Sequence, residues 1–278
     1  MCIKIRPKKG LGQHFLKNQG VLDRITQEIT EPNTVVLEIG FGTGALTYNI
    51  LKNKKVKYLI AIEKDLSLFQ IMDDKIKELK LQNKITIINK DILQMDITKT
   101  IVDAGFSKEV NDKSIVMLSN LPYNVGTKIL SNMLEVDNIF SKIVVMLQEE
   151  VVNRMIAKPK TKEYSKLSIL VQSLCEASKV MSVSSGSFNP PPKVQSAIIK
   201  LQPKSNRISK ETLQILLQIT KSGFSSRRKK LLKNLTALNN QQWIDIIKTK
   251  IHSNQRIEEL SAQQLIDISE IIRLQTSK

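Results

Sequence analysis

The residues with the clearest chemical potential are Asn120-Leu121-Pro122-Tyr123, which directly follow a strand-like run. The Asn120 amide oxygen and a backbone carbonyl, that of Leu121, could together accept hydrogen bonds from the N–H groups of an amine. Pro122 would fix that carbonyl by stiffening the turn, and Tyr123 would offer an aromatic face on which a base can stack. The alternative interpretation is a tight turn that carries a core tyrosine.

This arrangement suits an exocyclic amine on an aromatic ring, because the lone pair of such an amine is delocalised and poorly nucleophilic. Two acceptors would localise that lone pair, and methyl transfer could then be a direct displacement governed by positioning, with no protein nucleophile. The tetrapeptide matches the (N/D)-P-P-(Y/F) type of motif found in amino-methyltransferases.

Glycines and carboxylates stand where three strand-like runs end. The first run leads into Gly40-Phe41-Gly42-Thr43-Gly44, whose glycines would let the backbone approach a ligand closely. Glu63 follows the second run and could accept hydrogen bonds from both hydroxyls of a ribose. Asp91 follows the third run and could accept one from an adenine amine. Singly each carboxylate could be an ordinary loop residue, but three aligned strand ends favour a nucleotide-like cofactor.

This layout occurs in dinucleotide oxidoreductases as well as in methyltransferases, and the motif at Asn120 favours the second class. The glycine turn lacks the full G-x-G-x-x-G spacing, and no Lys-Ser/Thr pair follows it, which argues against a P-loop.

Alternating strand and helix patterns must position these residues. We predict strands at 34–39, 57–62, 85–88, 114–118 and 142–147, and helices at 19–30, from 45, and at 65–80, 149–157 and 165–176. Such alternation predicts an α/β fold with a mostly parallel sheet, which runs 180–183 and 194–201 would close. Residues 101–113 read as a polar, irregular insertion. We predict a first domain over 1–204 and a small helical domain over 205–278.

The chain of 278 residues is strongly basic, with 43 Lys and Arg against 26 Asp and Glu and a formal net charge of +17. The excess favours a polyanionic partner such as nucleic acid, although an abundance of Lys, Ile and Asn could also reflect compositional drift. Cys2 and Cys175 lie far apart and outside any metal-spaced cluster, so we expect no metal site and a reduced, cytoplasmic setting. No run is long and apolar enough for a membrane span, and none resembles a signal peptide.

A set of ordered segments makes the sequence closely similar to the KsgA/RsmA family of small-subunit (16S) rRNA adenine N6,N6-dimethyltransferases. The segments are 11–16 (LGQHFL), 36–40 (VLEIG), 120–124 (NLPYN), 147–154 (LQEEVVNR), 188–194 (FNPPPKV), 224–230 (FSSRRKK) and 256–260 (RIEEL). There are departures: His14 stands where the bacterial pattern usually has Asn, and Phe41 replaces a common Pro.

The resemblance implies a Rossmann-like class I methyltransferase fold with S-adenosylmethionine as cofactor. The implied cofactor contacts are His14, Leu16, Gly40, Glu63, Asp91 and Asn120, to which Gly42 of the glycine turn is added. The implied catalytic residues are Asn120, Leu121, Pro122, Tyr123 and Phe188. In the family, the aromatic at position 188 packs against a flipped adenine, whereas its pattern alone equally allows a core residue at a hairpin end.

The resemblance also implies the substrate, which is a pair of adjacent adenosines in the 3′-terminal hairpin of small-subunit rRNA, within an immature 30S particle. For RNA contacts we single out Arg154, Lys221, Arg227, Arg228, Lys229 and Lys230. The stretch 221–233 contains no acidic residue, and it reads as a helix packed by its leucines and capped by Ser225 or Ser226. Lys4, Arg6, Lys8 and Lys9 add a second basic patch on an N-terminal arm. Arg154 could instead form only a salt bridge.

Other functions share these features. The large-subunit rRNA adenine methyltransferases that confer macrolide resistance have the same fold but typically carry Asn-Ile-Pro-Tyr. The Leu at 121, the triple proline and the segment 256–260 favour the small-subunit family. A nucleic-acid-binding assembly or transcription factor without catalysis is the second alternative. The intact carboxylates and the intact Asn120 motif argue against it. A monomer is the default expectation.

Overall fold

The computed structural model describes residues 7–135 and 139–276. The chain divides into two compact units. The first unit runs to Val152 and resumes over Ser178–Pro203, and the second comprises Asn153–Ala177 and the chain from Lys204 onward. Lys4 and Arg6 of the predicted basic patch lie outside the described residues, and so does Cys2.

The strands form one large sheet and one small sheet. They are β1 (Phe15–Leu16), β2 (Thr34–Ile39), β3 (Val56–Glu63), β4 (Ile85–Asn89), β5 (Ile115–Asn120), β6 (Phe140–Gln148), β7 (Cys175–Val183), β8 (Phe188–Asn189) and β9 (Ser196–Pro203). The large sheet has the order β4-β3-β2-β5-β6-β9-β7, while β1 and β8 pair antiparallel on their own. Strands β2 to β6 pair in parallel and β9 runs antiparallel to β6, which confirms the predicted mostly parallel sheet with a closing antiparallel strand.

The helices are α1 (Gln19–Thr26), α2 (Ala45–Lys52), α3 (Leu66–Glu78), α4 (Ile97–Asp103), α5 (Ser107–Asn111), α6 (Gly126–Glu135), α7 (Glu149–Met155), α8 (Lys166–Leu174), α9 (Lys210–Gly223), α10 (Leu231–Leu235), α11 (Gln241–Lys248) and α12 (Ala262–Thr276). Two of them replace the irregular insertion predicted at 101–113, where α4 ends and α5 follows. Ile97 and Ile101 are buried, so this segment packs through an apolar helical face that is too short to stand out as a periodicity.

The position of the central strands in the sheet explains why their sequences are almost entirely apolar. All residues of β2 are buried, because helices cover both faces of a doubly wound sheet. Strand β2 lies between β3 and β5: the chain builds β3 and β4 on one side of β2 and then crosses back to build β5 on the other. Ligands of open α/β sheets bind at such a switch point, beyond the carboxyl ends of the strands.

The second unit is helical, and its composition differs from the predicted second domain. Helix α8 packs on α9 and α12, so residues 153–177 group with the C-terminal helices rather than with the sheet. Tyr164 is fully buried in this unit, and its hydroxyl donates to the carbonyl of Leu260 at 2.9 Å. The second unit resumes at Lys204, whereas its inclusion of residues 153–177 depends on long-range packing that the sequence pattern does not reveal.

The basic stretch 221–233 is not the single helix that the sequence predicted, because α9 ends at Gly223. A short 3-10 turn covers Phe224–Ser226, and α10 begins only at Leu231. Residues 227–230 therefore lie in a turn. The predicted serine cap was wrong, because Lys230 holds the N-cap position without a side-chain bond.

In the described residues, no helix is long and apolar enough to cross a membrane. The same part of the chain contains no group of three or more His, Cys, Asp or Glu side chains that could hold a metal ion.

Candidate functional site

The glycine turn joins β2 to α2 and forms the floor of a cleft at the carboxyl end of the sheet. Gly42 has φ +56°, and a Cβ on it would lie 3.1 Å from the ring of Phe15. Its N–H donates to Glu63 Oε2 at 3.0 Å. A larger residue would thus be strained and crowded where the backbone meets the next strand end.

Glu63 ends β3 and points its carboxylate into the cleft region. The residue is 8% exposed, and Oε1 accepts the N–H of Asp65 at 2.9 Å. Burial raises the pKa of Glu63, although the backbone hydrogen bonds from Asp65 and Gly42 oppose that rise. Fixed donors on both oxygens orient the carboxylate, which retains lone pairs for a ligand.

Asp91 lies just beyond β4 and caps a 3-10 turn through the N–H of Leu93 at 3.0 Å. Lys64 Nζ donates to its other oxygen at 2.8 Å, and this hydrogen bond with that of Leu93 lowers the pKa of Asp91. The side chain therefore remains an ionised acceptor at the edge of the cleft.

The Asn120 turn closes the opposite wall. Asn120 ends β5, and its Nδ2 donates to the carbonyl of His14 at 3.3 Å. Since the amide nitrogen is used in this way, Oδ1 is the end left to accept from an incoming amine. The carbonyl of Pro122 accepts the N–H of Gly126 at 2.7 Å, which ties the turn to the start of α6.

Aromatic rings gather around Tyr123. Its ring centroid lies 5.2 Å from that of His14 and 6.5 Å from that of Phe188, the latter nearly edge-on at 74°. The Tyr123 hydroxyl is hydrogen-bonded to the hydroxyl of Ser196, and burial raises the pKa of Tyr123. Phe188 is 1% exposed, belongs to the hydrophobic core and is not among the residues that line the cleft, so its predicted contact with a base stays a prediction.

His14 connects its own segment to Pro190 and to the Asn120 turn. Its Nδ1 lies 2.8 Å from the carbonyl oxygen of Pro190. A carbonyl can only accept, so Nδ1 carries the proton. The imidazole therefore faces the Tyr123 side of the cleft, while the backbone carbonyl of His14 orients Asn120.

One cleft in the first unit brings most predicted residues together. Its lining includes His14, Leu16, Gly40, Gly42, Glu63, Asp91, Asn120, Leu121, Pro122 and Tyr123. These residues fit a nucleoside-containing cofactor: a close backbone approach at Gly42, a buried carboxylate at Glu63 and an ionised acceptor at Asp91.

The predicted RNA-contacting residues Arg154, Lys221, Arg227, Arg228, Lys229 and Lys230 all belong to the second unit. Lys221, Arg228, Lys229 and Lys230 are exposed, as is Arg154 on α7. Arg227 differs, because its guanidinium bonds the Glu258 carboxylate and the carbonyls of Thr161 and Lys162. This arginine holds two chain segments together while its side chain remains 36% exposed, and its role as an RNA contact stays a prediction.

Sequence reasoning missed three features. Glu38 lines the cleft as a 1% exposed carboxylate, and burial raises its pKa to about 8. Asp65 collects donors from Lys8 and Gln13. The loop with Lys158, Lys160 and Lys162 is held beside the 227–230 turn by Arg227. The basic spacing of that loop was a visible signal, whereas the first two depend on contacts across the chain.

The sequence matches the family described as "Ribosomal RNA adenine dimethylase" over residues 5–274. A relative from Sulfurihydrogenibium sp., named "Ribosomal RNA small subunit methyltransferase A", is 35% identical across 97% of this chain and 97% of its own length. A relative of the same name from Bacillus pumilus is 38% identical, covering 96% of this chain and 91% of its own.

Solved structures are similar as well. A dimethyladenosine transferase from Plasmodium falciparum has a TM-score of 0.75 at 25% identity, and the match covers 95% of this chain and 98% of that one. The 23S rRNA methyltransferase ErmE has a TM-score of 0.63 at 18% identity, covering 92% of this chain and 98% of that one, a likeness of fold alone.

Proposed function

The chain belongs to the ribosomal RNA adenine dimethylase family, and from this premise we propose that it converts two adjacent adenosines of small-subunit (16S) rRNA to N6,N6-dimethyladenosine. The target is the 3′-terminal hairpin, reached in an immature 30S particle during ribosome biogenesis. The observation that carries the proposal is the cleft itself, where the Asn120 turn faces the carboxylates of Glu63 and Asp91 across one space.

The cofactor in this proposal is S-adenosylmethionine, which supplies an electrophilic methyl group when bound. Glu63 would accept the ribose hydroxyls and Asp91 the adenine amine, while the glycine turn around Gly40 and Gly42 leaves room for close approach. Leu16 and His14 would close the cleft from the N-terminal side. The fixed hydrogen bonds on both carboxylates support these roles, since they preset the orientation that a ligand needs.

The target adenine would lie against Tyr123 with its amine at Asn120. Asn120 Oδ1 and the Leu121 carbonyl accept the two N6–H groups, and Pro122 keeps that carbonyl in place. Localising the lone pair in this way prepares the nitrogen for in-line attack, and the N6 proton is released to water. An adenine in a hairpin must leave its stack to reach the cleft.

RNA would be held by exposed cations of the second unit. Arg154, Lys221, Arg228, Lys229 and Lys230 are the predicted contacts, and we add Lys158, Lys160 and Lys162. Arg227 serves this surface indirectly, because it fixes the 158–162 loop beside the turn that carries the other cations. Because the proposed substrate is a ribosomal particle, we infer a cytoplasmic enzyme, and a monomer stays our prediction.

Methyl transfer from labelled S-adenosylmethionine to unmethylated 30S particles tests the proposal, with 50S particles as the control and nucleoside mass spectrometry as the readout. We expect dimethyladenosine in the 30S sample only, and its loss in a Glu63→Ala, Asn120→Ala double variant. Label in the 50S RNA alone would reassign the enzyme to large-subunit methylation. Cofactor binding without label in either particle would indicate another RNA or a binding role.

A further inference from the structure

Asp65 forms more bonds than its position requires. It caps α3, where Oδ1 accepts the N–H of Ser67 at 3.1 Å and the Ser67 hydroxyl at 2.6 Å. A capping carboxylate needs only one oxygen to accept the backbone N–H. Asp65 is 4% exposed, and both of its oxygens accept hydrogen bonds.

The additional donors come from the N-terminal segment 8–13. Lys8 Nζ lies 2.6 Å from Oδ1, and Gln13 Nε2 lies 3.0 Å from Oδ2. Gln13 also accepts the N–H of Lys8 at 2.8 Å, so Lys8, Gln13 and Asp65 form a closed ring of hydrogen bonds. Burial alone would raise the pKa of Asp65, but the bonds from Lys8, Ser67 and Gln13 hold it at about 2.

The segment between these contacts forms one wall of the cleft. Gly10, Leu11 and Gly12 line it, followed by Gln13 and His14. The far end of the segment is fixed by the bond from Asn120 to the His14 carbonyl and by the pairing of β1 with β8. The near end is fixed by Asp65, whose backbone N–H also orients Glu63 at 2.9 Å.

We propose that the Asp65 side chain is a positioning group for the cofactor: it holds segment 8–13 along the cleft, beside the Glu63 carboxylate that the backbone N–H of Asp65 orients. This inference rests on the proposed function, in which the cleft takes S-adenosylmethionine. Asp65 is not among the residues that line the cleft and acts through segment 8–13, so we expect its effect mainly on cofactor affinity.

The test is the substitution Asp65→Asn, which keeps an oxygen for the helix cap but removes the charge that attracts Lys8. We expect the Kd of S-adenosylmethionine, measured by isothermal titration calorimetry, to rise about tenfold, as the loss of a charge-assisted bond predicts. At saturating cofactor, kcat on 30S particles should stay within about threefold of the wild-type value.

Asp96→Asn is the matched control. Asp96 caps α4 through the N–H of Lys99 at 2.9 Å, is exposed and does not line the cleft. It should leave the cofactor Kd unchanged. A purely structural role for Asp65 would make the two variants behave alike, and that outcome would overturn the proposal.

Lys8→Met removes the ion pair between segment 8–13 and Asp65 but leaves the cap of α3 intact. We expect a severalfold rise in the Kd, with little further rise when it is combined with Asp65→Asn, because the two residues share one contact. If Asp65→Asn does not fold, Lys8→Met decides alone, and an unchanged Kd overturns the inference. A wild-type protein that binds no S-adenosylmethionine would overturn the proposed function itself, and with it this inference.

Discussion

At the scale of single residues, substitutions of Tyr123 distinguish the contribution of its ring to base binding from that of its hydroxyl. Its ring lies near those of His14 and Phe188, while its hydroxyl is hydrogen-bonded to that of Ser196. Tyr123→Phe keeps the ring, so we expect kcat/KM on 30S particles within about threefold of wild type. Tyr123→Ala removes the stacking face and should lower kcat/KM by about 10- to 100-fold. Steady-state methyl transfer measures both. Equal losses would show that the hydroxyl, not the ring, carries the effect.

The burial of Glu38 predicts how the stability of the protein changes with pH. It is 1% exposed and accepts the Thr47 hydroxyl at 2.7 Å. Burial, with a smaller contribution from the nearby Glu63, raises its pKa from 4.5 to about 8. Between these values the folded chain holds a proton that the unfolded chain lacks, so the contribution of Glu38 to the free energy of unfolding falls as pH rises.

Glu38→Gln removes this titration while keeping the shape of the side chain. The variant should match the wild type near pH 4.5 and become progressively more stable than it up to about pH 8, by several degrees in Tm. Thermal unfolding across this range measures the difference between the two proteins. Glu31→Gln, at an exposed position, is the control and should follow the wild type at every pH. A constant Tm difference for Glu38→Gln would contradict the prediction.

At the scale of elements, two helical glycines should respond oppositely to the same change. A Cβ on Gly126 of α6 would lie 2.7 Å from Leu147 and 3.0 Å from Leu121, which belongs to the Asn120 turn. We expect Gly126→Ala to lower stability by about 1–3 kcal/mol through overpacking, and to lower methylation by shifting the turn. Gly20→Ala in α1 meets only Asn18, at 3.4 Å, and should raise stability by up to about 1 kcal/mol. Urea unfolding of both variants measures the contrast, which a shared sign would refute.

The elements also indicate how far sequence reasoning extends. Strand ends were predictable, because apolar runs buried on both faces stop sharply at Glu63 and Asn120. Two kinds of feature could not be predicted from the sequence. Short helices such as α5 offer too few turns for a periodicity, and contacts such as Lys8 with Asp65 join residues 57 positions apart. Such contacts depend on tertiary packing, which local patterns do not encode.

Arg227 illustrates the same limit within a correctly recognised basic run. Its neighbours Arg228, Lys229 and Lys230 are exposed, yet Arg227 bonds Glu258 and the 158–162 loop. Sequence composition identifies a cationic stretch but does not tell which cation is internally paired. The roles assigned to the individual site residues remain predictions, and the experiments above test them.

At the scale of the whole molecule, the net charge of +17 predicts salt-sensitive RNA binding, and the structure suggests where the effect is concentrated. Lys158, Lys160 and Lys162 are exposed on the loop that Arg227 fixes. Changing all three to Gln should weaken binding to the 3′-terminal rRNA hairpin. It should also reduce the slope of log K against log salt by about 0.7–0.9 for each lost phosphate contact.

A control with the same change in net charge distinguishes location from total charge. Lys52, Lys54 and Lys84 are exposed in the first unit, and none of them lines the cleft. Their triple Gln variant should retain the wild-type slope, as measured by fluorescence anisotropy from low to physiological salt. Equal slopes for the two triple variants would mean that total charge, and not the 158–162 loop, governs binding.

The pairing of Phe15 with Asn189 and of Leu16 with Phe188 bears on how the enzyme is made. Translation delivers the partner strand long after the first strand has left the ribosome, since chains emerge from the N-terminus. The wall of the cleft that begins at Gly10 therefore gains the last of its anchors, the pairing of β1 with β8, only after residue 189 has been made. A nascent chain that has completed only the parallel strands holds an unfinished cleft, so catalytic competence arrives late in synthesis.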